Sequence, residues 1–124
     1  MKTTFALIAF LFISNISYSQ SSAKYQIIGT EPFWSLMITS NNAEFDLMDS
    51  PKIKFDSIKK KNMEGTSEGY GFAFEVSNKD ASAMILLRKC EGCSDGMSEV
   101  KYTYEAFFVF NGKVYHGAAN EVEK

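Results

Sequence analysis

Asn111-Gly112 is the feature that most restricts what this chain can become. Both residues tolerate positive φ, as a two-residue type I′ turn demands, and such a turn joins two antiparallel strands in a set register. Before it, Lys101 to Phe110 alternates, with Tyr102, Tyr104, Ala106, Phe108 and Phe110 forming one apolar stripe. After it, Lys113 to Ala118 reads as the returning strand. Period-two alternation is the mark of a strand with one buried face.

The same pattern recurs upstream, and no apolar stripe at helical spacing exceeds two turns. Tyr25 to Gly29 reads as a strand, and Trp34 to Thr39 as a second after the Glu31-Pro32 break. Asn41-Asn42 turns into Ala43 to Met48, where Ala43, Phe45 and Leu47 share a face. Asp49-Ser50-Pro51 turns into Lys52 to Ser57, with Ile53 and Phe55 on one side, and Ile58 to Met63 follows. Beyond a polar loop at Glu64 to Gly69, Tyr70, Phe72, Phe74 and Val76 form a stripe, and Ser82 to Lys89 is the next strand. Eight or nine short strands joined by tight turns predict an all-β antiparallel meander. It must hide its edges by closing into a roughly eight-stranded barrel or stacking as a sandwich. Eleven Phe, six Tyr and one Trp in the whole chain supply volume for the interior. The order of the strands is not readable at this level.

The N-terminus carries a different signal. Met1 to Thr4, with Lys2, precedes an apolar run from Phe5 to Ile13 and a small, polar segment from Ser14 to Ser19. That is the layout of a secretory signal peptide, with cleavage expected between Ser19 and Gln20. The run is too short for a membrane-spanning helix, which needs about 20 apolar residues, and no cysteine at the junction supports a lipid anchor. The expectation is a signal peptide at 1–19 and a single domain at 20–124, soluble and monomeric, in the periplasm or secreted. Cleavage removes one of thirteen basic residues and none of fifteen acidic ones. An acidic balance argues against nucleic acid, whose phosphates need a basic surface. Lys59-Lys60-Lys61 is the sole basic cluster and reads as a solvated turn or edge strand.

Three segments could carry chemistry. Cys90-Glu91-Gly92-Cys93 is a local disulfide, a redox pair, two thiolate metal ligands or two unpaired thiols. A metal would need further donors. Met97 and His116 are the nearest, and Cys with Met would favour Cu(I). Gly29 to Trp34 offers Phe33 and Trp34 either as plugs for one end of the barrel, with Glu31 capping an amide, or as a ligand-facing aromatic pair beside a carboxylate. Ser94 to Ser98 reads as a tight turn held by side-chain to backbone hydrogen bonds. No nucleophile elbow, phosphate loop or dinucleotide fingerprint is present. A hydrolase would rest on Asp95 or Glu31 as general base, and nothing in the sequence activates either.

The pair of motifs G-T-E-P-F-W (29–34) and C-S-D-G-M-S (93–98), followed by Tyr102 and Tyr104, resembles an uncharacterised family of small bacterial envelope proteins and lipoproteins. There the first motif reads N-E-P-F-W or T-E-P-F-W. The second reads C-S-D-G-M-S-D followed by Y-P-Y, and a later G-C-A or G-C-G closes the domain. The family is found beside envelope β-domains of the heat-shock lipoprotein (META) and lysozyme-inhibitor types. The resemblance covers nearly all of the chain after the signal segment and implies an envelope β-domain. By analogy with those neighbours it extends to lysozyme inhibition. Glu99 and Thr103 depart mildly from the pattern. The family's second cysteine would fall at Ala118, so Cys93 lacks that partner and a compensating bridge to the extra Cys90 is the simplest reading.

Together these readings predict a non-enzymatic envelope binding domain without cofactor, acting on an unknown envelope protein or small ligand. Its candidate binding residues are Glu31, Phe33, Trp34, Asp95, Met97, Tyr102 and Tyr104. The alternative is a copper or redox sensor on Cys90 and Cys93 with Met97 or His116.

Overall fold

Alternation at period two sends every second side chain inward, and a computed structural model shows where those faces meet. It describes residues 23–122. The expected signal peptide at 1–19 and its cleavage site lie outside the described residues. The described residues contain no helix long and apolar enough to cross a membrane.

Nine strands form: β1 (Ala23–Thr30), β2 (Phe33–Thr39), β3 (Ala43–Leu47), β4 (Ile53–Phe55), β5 (Ser57–Asn62), β6 (Gly71–Ser77), β7 (Ser82–Cys93), β8 (Tyr102–Phe110) and β9 (Lys113–Glu121). All pair antiparallel in one sheet of order β4-β3-β2-β1-β9-β8-β7-β6-β5. The sheet curls into a nearly closed barrel, which decides between the barrel and the sandwich. Its two ends, β4 and β5, are consecutive in the chain, so the segment bent at Asp56 spans them. Asn78 in the β6–β7 turn donates from Nδ2 to the Lys54 carbonyl (2.9 Å) and ties the same corner.

The β8–β9 hairpin is as the sequence predicts. Asn111 and Gly112 take φ of 52° and 74°, and Phe110 stands opposite Lys113. The inward stripes meet in one core. Ile27, Leu36, Ile38, Phe55, Val76, Ile85, Leu87 and Phe108 are fully buried. Each large apolar side chain withdrawn from water contributes about 1.5–3 kcal/mol. Aromatic rings fill the rest: Phe45 packs on Phe108 at 4.8 Å between centroids, and Tyr25, Phe72, Phe74 and Tyr104 cluster at 5.5–6.1 Å. Tyr70, read with the β6 stripe, stands half exposed in the turn before β6, because the strand begins only at Gly71. The lysine cluster falls on β5, an edge strand, where charge discourages pairing with other chains.

Candidate functional site

The two motifs some 60 residues apart in the sequence meet in space. β7 runs past its regular pairing: Lys89 is opposite Tyr104 and Cys93 opposite Tyr102, so Cys90, Glu91 and Gly92 bulge out against Thr103 alone. The Cys90 and Cys93 sulfurs lie at disulfide distance across this bulge, with Gly92 at a φ of 61°. A bridge over so short a loop contributes about 2 kcal/mol in the chain-entropy model. It fixes where the next segment, 94–101, leaves the sheet.

That segment is organised by Asp95. Oδ1 accepts the amides of Met97 (2.8 Å) and Ser98 (2.7 Å), and Oδ2 accepts the hydroxyls of Ser98 (2.6 Å) and Tyr102 (2.8 Å). Ser94 Oγ accepts the Gly96 amide (3.0 Å). The turn read from Ser94 to Ser98 is therefore present. These bonds, the Ser98 hydroxyl foremost, hold the Asp95 carboxyl well below the usual carboxylate range. A carboxylate so fully occupied is a poor proton acceptor at neutral pH, which weakens its case as a general base.

Thr30, at the end of β1, donates from Oγ1 to the Asp95 carbonyl (3.0 Å) and ties the loop to the G-T-E-P-F-W turn. Between the two lies a cleft of about 420 Å³, lined by Glu31, Asp95, Met97 and His116 over the backbone of Gly29 and Gly117. Trp34 lies beneath it, 3% exposed, donating from Nε1 to the His116 carbonyl (3.2 Å) and stacked on Phe108 at 5.8 Å. Two glycines make room for it. A Cβ on Gly29 would fall on the indole, and one on Gly117 would meet the indole and the Ile28 carbonyl.

His116 faces outward. Its Nε2 lies 2.9 Å from Glu105 Oε1, while Glu105 Oε2 takes the Arg88 guanidinium. The His116 contact, and then Arg88, hold the Glu105 carboxyl below its ordinary value. This row across β7, β8 and β9 forms the shoulder of the cleft.

The sequence expectations sort accordingly. Glu31, Asp95 and Met97 share the cleft, and Tyr102 is buried at 6% under the loop. Trp34 is an anchor rather than a ligand-facing ring. Phe33 plugs nothing: at 47% exposed it borders an adjoining hollow with Met48. Glu31 is exposed in its turn, and no described hydrogen bond caps an amide with it. Tyr104 is separate, packed against Tyr25 and Phe72 in the aromatic cluster near the start of β1. Cys90 and Cys93 do not line the cleft that holds Met97 and His116. No group of three or more His, Cys, Asp or Glu suited to a metal occurs among the described residues. The sequence reading singled out the segment holding Gly29 and Thr30 but gave neither a role, and it missed Glu105 and the part played by Gly117. Only the glycines leave a trace in sequence, as residues without side chains inside strands, where close backbone approach is the usual reason.

Because four hydrogen bonds converge on Asp95, its charge matters to the loop. The carboxyl's lowered folded value sets the sign: its stabilisation is complete above the ordinary value of 3.8 and shrinks as pH falls below that. It is gone once pH has passed through the lowered value. The Met97 and Ser98 amide resonances are thus expected to hold their positions from pH 6 to pH 4. Asp95→Asn should move both at neutral pH while shifting the melting temperature little. Unmoved amides in that variant would disprove the assignment.

The fold and site define a small nine-stranded β-barrel with a loop strapped over one end of β1 and a cleft beneath the strap. No protein-family model, curated protein or solved structure matches this chain.

Proposed function

We propose that this chain is an exported, non-enzymatic binding domain of the bacterial cell envelope. Its recognition surface is the cleft between the 29–34 turn and the 94–98 loop. One observation carries the reading: the loop that Asp95 organises is tied to the distant 29–34 turn through the Thr30 hydroxyl, yet other side chains of both segments are left free. Thr30 and Asp95 are used for construction, whereas the Glu31 carboxylate and the Met97 thioether line the cleft without a hydrogen bond among the described residues. A mixed surface of a carboxylate, an imidazole and an adaptable thioether suits recognition rather than bond-making. The apolar run at residues 5–13 supports export, and a Cys90–Cys93 pair at disulfide distance is compatible with an oxidising compartment. The motif resemblance described above points to the same location.

The test is comparative capture from envelope extract by the immobilised domain and by a Glu31→Ala/Met97→Ala variant. A partner retained by the wild type and lost by the variant is the expected result. It should also broaden the wild-type amide resonances of Thr30, Met97 and His116. Equal capture by both proteins would overturn the site, and turnover in a screen of ester, glycoside and peptide substrates would overturn the non-enzymatic reading. A lysozyme assay on the same proteins tests the narrower inhibitory form, which inhibition lost in the variant would favour.

A further inference from the structure

The edge strands β4 and β5 are joined by a short connecting segment rather than by a ladder of hydrogen bonds, and beside β5 an opening, the seam, lies near the start of β1. Between β1 and β5 lies a cleft of about 430 Å³, distinct from the one beneath the loop. Its walls are Tyr25, Phe74 and Ile58, and its charged groups are Lys24, Lys60 and Glu121.

Two side chains of this cleft carry donors with no acceptor among the described residues. The first is Lys60. On β5 it stands opposite Phe74, and Ile58, on the same face, stands opposite Val76, so it is directed to the core side of an edge strand. Its neighbour Lys61 is ion-paired with Glu75 at 2.8 Å, but Lys60 has no carboxylate partner among the described residues. Its Nζ lies 4.5 Å above the Phe72 ring centre. The second is Tyr25. Its ring is buried, while its hydroxyl bonds to no described residue and reaches solvent at the cleft. Burial, and then the Glu121 carboxylate, keep this phenol above its ordinary value of 10.0, so it remains a neutral donor.

The Lys60 ammonium, held over the Phe72 ring, and the Tyr25 phenol border one cleft with no acceptor among the described residues, and a negatively charged oxygen would serve both donors. We infer that the seam binds a small monocarboxylate with an apolar body, its carboxylate on Lys60 and Tyr25 and its body against Phe74 and Ile58. Lys24 adds positive charge at the rim. Glu121, facing the same space, disfavours a second negative charge on the ligand. A ring-bearing acid of about ten heavy atoms fits the volume with room for water.

Phenylacetate and its neutral isostere phenylacetamide are the probes, followed by amide and aromatic NMR shifts of the full domain. Phenylacetate at millimolar concentration should move the resonances of Tyr25, Lys60 and Phe74 and leave those of Thr30 and Met97 in place. Phenylacetamide should bind about tenfold more weakly, since its carbonyl oxygen accepts the same bonds without a charge. Tyr25→Phe and Lys60→Met should each weaken phenylacetate about tenfold and phenylacetamide by less. Phenylacetate that moves nothing at the seam, or that binds no better than the amide, would overturn the inference. Both variants retain the apolar bulk of the wall, and unchanged thermal unfolding checks that they fold. Failure here leaves the loop cleft untouched, because capture there depends on Glu31 and Met97.

Discussion

Trp34→Ala should remove about 3–5 kcal/mol of folding stability, the range for deleting a buried large aromatic. For a domain of about 100 residues that corresponds to a fall in melting temperature of roughly 14–24 °C. The reason lies in how many elements the indole joins. It starts on β2, stacks on Phe108 of β8, meets Phe45 of β3 and Tyr115 of β9, and bonds to the His116 carbonyl. Removing it leaves a cavity between the two halves of the sheet and an unpaired carbonyl near the cleft. Urea unfolding followed by far-ultraviolet circular dichroism measures the loss without relying on tryptophan fluorescence, since this is the only tryptophan. A loss below about 1 kcal/mol would mean that the interior collapses around the gap and that Trp34 is no anchor.

Gly117→Ala should cost about 2–3 kcal/mol, a large effect for one methyl group, at the upper end for overpacking a filled core. The new Cβ would meet the Ile28 carbonyl as well as the indole, and a backbone atom cannot rotate away. β1 and β9 would have to separate where Ile28 faces Ala118, in the one pairing among the described residues between strands distant in sequence. The atoms nearest a Cβ at Gly29 all belong to the indole, which distinguishes the two positions. In a Trp34→Leu background the Gly29→Ala penalty should largely vanish and the Gly117→Ala penalty should persist. This double-mutant comparison isolates contact with the side chain from contact with the backbone. Equal rescue of both would show that the Ile28 carbonyl yields easily.

The strands were legible because each rests on local facts. Inward faces such as Ala43-Phe45-Leu47 and the Tyr102-to-Phe110 stripe declare themselves by alternation, and Asn111-Gly112 declares its turn through the φ values it allows. The Ser94-to-Ser98 turn was legible for the same reason, since its bonds span two or three residues. Phe33 and Trp34, adjacent aromatics offered together by the sequence, part by the same rule. Trp34 falls in line with Leu36 and Ile38 on the core face, and Phe33 with Ser35 and Thr39 on the other.

What alternation could not supply is which strand lies beside which. The β1–β9 pairing, the curl that brings β4 near β5, and the seam beside Tyr25 all depend on contacts made across most of the chain. The meeting of Thr30 with Asp95 is of the same kind, as is the placement of Gly29 and Gly117 on either side of one indole. Sequence alone determined the strands, their buried faces and the tight turns, because backbone geometry and side-chain period act over a few residues. Tertiary structure alone decided the closure of the sheet and the two clefts, because those follow from residues that become neighbours only once the sheet has curled.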